Sequence, residues 1–238
     1  MKEILQNLNI IKKRISTACE QAGRNSEEIK LLLATKTVSP DKIKAVLEAG
    51  EFLIGENKVQ ELKEKHDALR AVPHETHFIG HLQTNKIKDV LKYADCVQSL
   101  DRLVLAEKLQ HRLEAEDKTL NAFIQVNTSY EPSKFGVDPE EALGFAMKVR
   151  QYDRINIKGL MTIGLFSAKE EQVRKCFRLL KELQLKFLDS GIDAFELSMG
   201  MSNDLEVAIR EGATMVRVGT AIFGVRKYPD SYYWNENS

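Results

Sequence analysis

The chain has 238 residues, 43% of them hydrophobic, and its 35 basic residues are balanced by 35 acidic residues. This length suits one α/β barrel or two small domains, and the apolar content is too high for a disordered chain. Because the formal charge is zero, no net field attracts the chain to nucleic acid or to an anionic membrane. Three widely spaced cysteines argue against a disulfide framework or a zinc site.

The N-terminal segment bears on where in the cell the protein is expected. Residues 1–15 mix charged residues with aliphatic ones and lack the apolar core of a signal peptide. No apolar run in the sequence is long enough to span a bilayer. We therefore expect a soluble cytoplasmic protein.

Short apolar runs alternate with longer amphipathic stretches along the chain. Residues 2–22 carry aliphatic side chains at helical spacing, and Gly23 is a suitable residue to end that helix. Residues 29–35 form a largely aliphatic run, as expected for a strand that is buried on both faces. A helix is predicted to begin at Pro40 and to end near Gly50.

The same alternation continues to the C-terminus. The further predicted strands are residues 52–55, 77–79, 96–99, 122–127, 157–163, 195–199 and 215–218. The further predicted helices are residues 58–69, 85–91, 101–114, 139–150, 169–188 and 205–211. Eight strands, nearly all followed by helices, predict parallel βα units and a single-domain (β/α)8 barrel over residues 1–238. A doubly wound parallel sheet is the alternative, because periodicity alone does not separate the two topologies.

Lys36 follows the first predicted strand, at the end of a barrel where function gathers. A lysine at the edge of a dry interior is partly desolvated, which lowers its pKa and favours the neutral amine. A neutral amine attacks an aldehyde to form an imine. The plainer alternative is a lysine whose amine reaches solvent or pairs with a carboxylate.

Two segments near the C-terminus predict a phosphate site. Met201-Ser202-Asn203-Asp204 stands before a predicted helix and brings hydroxyl and backbone N–H groups to its N-terminus. Gly219-Thr220 resembles the phosphate loop that barrels often place after their last strands. The alternative for Ser202 is an ordinary helix N-cap.

Arg217 lies within the predicted eighth strand. If it faces the barrel interior, it needs a buried partner, either a ligand or an acid. If it faces outward, it is an ordinary surface residue. The sequence leaves both orientations open.

The sequence lacks motifs for binding other classes of ligand. His74-Glu75-Thr76-His77 is one residue short of the zinc-protease spacing and lies where a loop joins a strand, so we expect no metal site. The sequence contains neither a P-loop nor a Gly-x-Gly-x-x-Gly motif. Basic residues are dispersed, so we expect no binding of nucleic acid.

Six segments, in this order, resemble the pyridoxal phosphate homeostasis protein family, the single-domain relatives of the alanine racemase barrel. They are LATKT (33–37), FLIGENKVQE (52–61), HFIGHLQTNK (77–86), GLMTI (159–163), LSMGMSND (197–204) and MVRVGTAIFG (215–224). They run from the first predicted strand to near the C-terminus. Together they are far more specific than any one of them.

The resemblance implies a fold-type III barrel that holds pyridoxal 5′-phosphate (PLP) as a Schiff base on Lys36. It implies that the phosphate is held by Ser202 and the backbone of Gly219 and Thr220, with Ser198 and Met199 close by. It places Arg217 near the pyridine nitrogen and Asn57 near the ring. The implied cofactor-binding residues are therefore Lys36, Asn57, Ser198, Met199, Ser202, Arg217, Gly219 and Thr220.

Two positions depart from the family pattern. Val38 stands where the family often has a second lysine, and His81 stands where a proline often follows Gly80. Neither is among the implied cofactor contacts. His81 either points at the cofactor ring or caps the next helix.

The resemblance also bears on catalysis. An arginine at the pyridine nitrogen keeps that nitrogen unprotonated and weakens the cofactor as an electron sink. Racemisation also needs an acid or base on each face of the substrate. In the racemases a tyrosine from an additional β-domain of the partner subunit supplies the second one. We expect that domain to be absent, because the chain ends fourteen residues after Gly224.

The favoured interpretation is a non-catalytic, monomeric protein that buffers PLP or delivers it to PLP-dependent apoenzymes, affecting amino- and keto-acid balance. A weak amino-acid racemase or a related PLP enzyme is the alternative. A third possibility is a phosphate-binding barrel enzyme, such as a sugar-phosphate isomerase, that uses Lys36 as a charge.

Overall fold

Eight parallel strands lie in chain order, and the last pairs with the first to close a barrel. The structure is a computed structural model that describes residues 1–224. The strands are β1 (Lys30–Ala34), β2 (Leu53–Glu56), β3 (Glu75–Phe78), β4 (Cys96–Leu100), β5 (Leu120–Gln125), β6 (Ile155–Met161), β7 (Glu196–Ser198) and β8 (Met215–Val218). The predicted barrel is therefore confirmed, and the doubly wound sheet is wrong.

One helix precedes β1 and a further helix follows each strand, and together they form the outer layer. They are α1 (Lys2–Gln21), α2 (Pro40–Glu48), α3 (Val59–Leu69), α4 (Ile87–Tyr93), α5 (Leu103–Glu116), α6 (Ala142–Val149), α7 (Glu170–Asp189), α8 (Leu205–Arg210) and α9 (Thr220–Phe223). Short 3-10 turns occupy Ser26–Glu28 and Thr84–Lys86. Within residues 1–224, no helix is both long enough and apolar enough to cross a bilayer.

The strands are largely aliphatic because both of their faces are buried. In β1, Leu31 and Leu33 contact the helical layer, whereas Leu32 belongs to a second cluster inside the barrel. That inner cluster takes one residue from each of six strands, namely Leu32, Leu53, Cys96, Phe123, Met161 and Met215. Side chains alternate along a strand, so Lys36 continues the inward-facing series that includes Leu32 and Ala34.

Helix α1 completes the outer ring between α2 and the last two helices, α8 and α9. The Arg14 guanidinium donates to Glu206 of α8 at 2.6 Å, and the Asn7 side-chain amide donates to the Ile222 carbonyl of α9 at 3.2 Å. These bonds join α1 to the last two βα units. The end of the barrel that carries the two predicted phosphate segments is thereby held in place.

Some boundaries differ from the prediction by two or three residues. β5 ends at Gln125 because Val126 leaves the ladder and forms an isolated bridge with Val137 of the following loop. The predicted start of α6 at residue 139 is wrong: Ala142 donates to the Pro139 carbonyl in a turn, and the helix begins at Ala142. α9 was not predicted, because four residues are too short to show a helical period.

Candidate functional site

A cavity of about 350 Å³ opens at the C-terminal ends of β1–β3 and β6–β8. This volume is within the range of small-molecule sites. Six of the eight predicted contact residues line it, namely Lys36, Asn57, Ser202, Arg217, Gly219 and Thr220. Apolar side chains, including Ile79, Met161 and Ile163, form part of its wall.

The other two predicted contacts lie behind this cavity. Ser198 is fully buried, and its hydroxyl accepts a hydrogen bond from Arg217 at 2.8 Å. Met199 is also fully buried and packs in the cluster between the strands and the helices. Successive strand residues point to opposite faces, so Ser198 turns into the barrel while Met199 turns away from it. The structure therefore brings Ser198 to the site through Arg217 and leaves Met199 in the core.

Lys36 occupies a tight turn directly after β1. The Val38 N–H donates to the Thr35 carbonyl at 2.9 Å, which closes the turn around Lys36 and Thr37. Thr37 has φ of +64°, a left-handed conformation that is unfavourable for a β-branched residue. The surrounding structure must therefore stabilise this turn.

A buried lysine of α3 supports one side of the turn. The Lys65 ammonium donates to Glu56 Oε1 at 2.6 Å, to Glu61 Oε2 at 2.6 Å and to the Thr35 carbonyl at 2.8 Å. The Thr35 hydroxyl donates to the same Glu56 oxygen at 2.5 Å. We call Lys65, Glu56 and Glu61 the Lys65 clamp.

The clamp also holds the other side of the turn. Glu61 Oε2 accepts the backbone N–H of Thr37 at 2.6 Å. Residues on both sides of Lys36 are thus tied to one buried set of charges. This arrangement fixes where the Lys36 side chain leaves the backbone and enters the cavity.

Glu56 is the most buried charge of the clamp. Burial raises its pKa to about 7, although the nearby Lys65 ammonium acts in the opposite direction. Its Oε1 accepts from Lys65 and Thr35, whereas Oε2 is buried without a hydrogen-bond partner among residues 1–224. The ionised form of Glu56 therefore depends on Lys65.

The two predicted phosphate segments meet at the cavity. The Ser202 and Thr220 hydroxyls lie 3.4 Å apart although they follow different strands. Ser202 is not the N-cap of α8, because Asp204 holds that position. The Asp204 carboxylate accepts the Met201 N–H at 2.5 Å, and burial raises its pKa. The loop between β7 and α8 is thus folded so that the Ser202 hydroxyl can face Thr220.

Arg217 faces inward and is 5% exposed. Its guanidinium donates to the Ser198 hydroxyl at 2.8 Å and to the Thr162 carbonyl at 2.7 Å. Burial lowers its pKa to about 10, so it carries its charge at neutral pH. Its protein partners are therefore a hydroxyl and a carbonyl, whereas the sequence had suggested a ligand or an acid for an inward-facing Arg217.

His81 adopts neither of the two predicted roles. Its ring stacks on Phe135 with the centroids 3.8 Å apart, and its Nδ1 lies 3.6 Å from Asp101. It does not line the cavity, and Gln83 rather than His81 precedes the next helical turn. The tyrosines at 228, 232 and 233 lie outside the described residues.

Sequence reasoning missed several residues that shape this site. Phe166, in the loop after β6, lines the mouth of the cavity and is 62% exposed. Lys65 was missed, although a signal was present: it stands three residues after Leu62 and four before Leu69, on the apolar face of α3. A charge at such a position must be paired.

Comparison with known proteins decides the family. Residues 7–227 match the family model described as "Alanine racemase, N-terminal domain". The chain is 42% identical over 224 residues to the pyridoxal phosphate homeostasis protein of Aquifex aeolicus, covering 94% of this chain and 98% of that protein. The chain belongs to the pyridoxal phosphate homeostasis protein family. The resemblance inferred from the six motifs is confirmed.

Solved structures agree with this family. PipY of Synechococcus elongatus, solved with PLP bound, is 28% identical with a TM-score of 0.80, covering 90% of this chain and 100% of PipY. An alanine racemase of Clostridium difficile shares the barrel with a TM-score of 0.77 at 15% identity. This chain covers 58% of that racemase, and the likeness concerns the fold alone.

Proposed function

We propose that this protein binds PLP as a Schiff base on Lys36 and acts in the cell as a buffer or donor of the cofactor. One observation carries the proposal: six predicted contacts, drawn from four separate segments of the chain, line the same 350 Å³ cavity. Membership of the pyridoxal phosphate homeostasis protein family and the PLP-bound PipY structure support it.

The residues of the cavity fit the groups that PLP carries. A primary amine, on Lys36, is the partner that an aldehyde requires. The paired hydroxyls of Ser202 and Thr220, 3.4 Å apart, suit a phosphate. Arg217 is charged, buried and directed into the cavity, and can donate to the unprotonated pyridine nitrogen. When bound, PLP supplies an electrophilic carbon, and the protein supplies its position.

The cavity favours a carrier over a racemase. Among residues 1–224, the titratable side chains that line it are Lys36, Asp204 and Arg217. Asp204 accepts a backbone N–H in the proposed phosphate loop, and Arg217 stays protonated at neutral pH. That leaves Lys36 as the lining group suited to move a proton, whereas racemisation needs one on each face. We therefore propose that the protein is not an enzyme.

The proposal extends to partners. A carrier must release its cofactor to PLP-dependent apoenzymes, so these are the proposed macromolecular partners, and the protein is proposed to work as a monomer. Phe166, a lining residue that is 62% exposed, lies where a released cofactor would leave the cavity. Transfer by direct contact predicts that an apoenzyme is loaded faster from the holoprotein than dissociation of PLP into solution allows.

Absorption spectroscopy tests the proposal. Purified protein reconstituted with PLP should show a visible band from the Schiff base, and Lys36→Ala should lack the band. Lys158→Ala, which removes an exposed lysine of β6, is the matched control and should keep it. A colourless wild-type protein, or equal bands in wild type and Lys36→Ala, would overturn the proposal.

Incubation with each L-amino acid tests the absence of catalysis. The holoprotein should form no more D-isomer than free PLP at the same concentration. Turnover that disappears in Lys36→Ala would replace the carrier by an enzyme, the alternative that the sequence left open.

A further inference from the structure

A continuous line of polar side chains, all buried except the last, crosses the interior of the barrel. It begins at Arg217 in the cavity wall. It ends at Glu75, the first residue of β3, at the N-terminal end of the barrel. Ser198 donates to Gln98 Oε1 at 2.7 Å, and Gln98 Nε2 lies 2.6 Å from His77 Nδ1. His77 Nε2 lies 2.8 Å from the Glu75 carboxylate. We call Arg217, Ser198, Gln98, His77 and Glu75 the barrel chain.

The barrel chain is unusual because small barrels usually fill their interior with bulky apolar residues. Gln98 and Ser198 are fully buried, and His77 is 3% exposed. Each buried polar group would cost free energy if it were left without a partner. The barrel chain satisfies them in series, so the position of each member depends on the next.

The orientation of the Gln98 amide, with Oε1 toward Ser198 and Nε2 toward His77, combines with the chemistry of the groups to give every bond a direction. A guanidinium only donates, so the Ser198 oxygen accepts from Arg217 at 2.8 Å and its proton points to Gln98. Gln98 then presents its NH₂ group to His77, whose Nδ1 must accept. The His77 proton therefore lies on Nε2, where it donates to the Glu75 carboxylate.

We propose that Gln98 and His77 are positioning residues that hold Ser198, and through it Arg217, in the orientation that meets the pyridine ring of PLP. This inference rests on the proposed function. Neither residue lines the cavity, so any effect on the cofactor must pass along the barrel chain. The arrangement requires His77 to stay neutral and to carry its proton on Nε2.

Without Gln98, the Ser198 hydroxyl loses its acceptor and is free to turn. Arg217 then keeps only the Thr162 carbonyl as a fixed partner among the contacts described above. The guanidinium can reorient within the barrel, and its hydrogen bond to the ring is weakened. Because the affected bond carries a charge, the loss of PLP affinity should be about tenfold to a hundredfold.

Gln98→Met tests the proposal, because methionine has a similar volume and fits beside the Met215 sulfur that Gln98 contacts at 3.1 Å. The variant should bind PLP about ten to a hundred times more weakly. The visible band of its loaded form should be displaced, because the charge beside the pyridine nitrogen has moved. Gln98→Glu keeps an acceptor for Ser198 and should weaken PLP binding less than Gln98→Met, although it has no N–H for His77 Nδ1, which must then take a proton to face the carboxylate.

Gln184→Met is the matched control. Gln184 is 2% exposed and donates to the carbonyls of Ala194 and Phe195, neither of which belongs to the barrel chain. It should lower thermal stability and leave PLP affinity and the band unchanged. Equal PLP affinity and equal spectra in Gln98→Met and wild type would overturn the proposal. If Gln98→Met does not fold, Ser198→Ala makes the same test with a smaller change.

A measurement on the cofactor-free protein separates this inference from the proposed function. Nitrogen-15 NMR of the histidine side chains should show His77 as the neutral Nε2–H tautomer in wild type at neutral pH, with Nδ1 accepting a hydrogen bond. Gln98→Met should abolish that hydrogen bond. A His77 with its proton on Nδ1 would overturn the barrel chain whether or not PLP binds. Failure of Lys36 to bind PLP would overturn the proposed function and leave the NMR result standing.

Discussion

Replacing Lys65 by methionine should strongly destabilise the protein. Lys65 is 7% exposed and Glu56 is 1% exposed, and their charged atoms lie 2.6 Å apart. Breaking a buried ion pair by removing one partner costs about 3–5 kcal/mol, since the other charge is left uncompensated. In a chain of this size, 1 kcal/mol shifts Tm by about 2–4 °C, so the expected decrease is about 6–20 °C.

The destabilisation should depend on pH. Without the Lys65 ammonium, the pKa of Glu56 rises above the value of about 7 that it has in the wild type. A carboxyl group whose pKa is raised by folding favours the folded state below its unfolded pKa, and this contribution is lost as the pH rises through the folded pKa. The stability that Lys65→Met loses relative to wild type should therefore be smaller at about pH 5 than at about pH 8.

Urea unfolding at both pH values, followed by circular dichroism, measures this effect. Lys63→Met is the matched control on the same helix, because Lys63 forms an exposed pair with Asp89 at 2.8 Å. That control should change the free energy of unfolding by about 0.5 kcal/mol or less. Adding Glu56→Gln to Lys65→Met should restore part of the loss. Equal stability of the two lysine variants at about pH 8 would refute the reasoning.

Further substitutions test other parts of the site. Ser202→Ala should weaken PLP binding about tenfold in a fluorescence titration, because a hydroxyl proposed to contact the phosphate is lost; an unchanged affinity would remove Ser202 from the site. Gly80→Ala should destabilise the fold by about 1–3 kcal/mol, because its Cβ would lie 2.1 Å from the Asn57 carbonyl oxygen. Gly144→Ala, whose Cβ meets no atom within 4 Å, is its control in α6, and thermal unfolding should show it to be at least as stable as wild type.

The fold was predictable because its signals are local. The aliphatic run around Leu32 marks a strand that is buried on both faces, and the spacing of Ile4, Leu8, Ile11 and Ile15 marks α1. The position of Lys36 directly after the first strand also placed it correctly at the C-terminal end of the barrel, whereas the strand pattern left the orientation of Arg217 open. Closure of the sheet was not visible in periodicity, because it depends on pairing between β1 and β8, far apart in sequence.

The supporting polar network was not predictable, because its partners are distant in sequence. Gln98 bonds Ser198 one hundred residues away, and nothing near it in the strand signals that contact. Met199 was expected beside the cofactor because it belongs to the LSMGMSND segment, but strand alternation turns it into the core. The sequence thus identified the residues at the cavity surface more easily than the residues that hold them.

Borohydride reduction of the PLP-loaded protein, followed by peptide mass mapping, tests the central claim most directly. Reduction converts the Schiff base to a stable secondary amine, so the modified lysine can be read from the fragment masses. The proposed function predicts one pyridoxyl adduct, on the peptide that contains Lys36, and no adduct in Lys36→Ala. An adduct on another lysine, or none on the loaded wild-type protein, would contradict it.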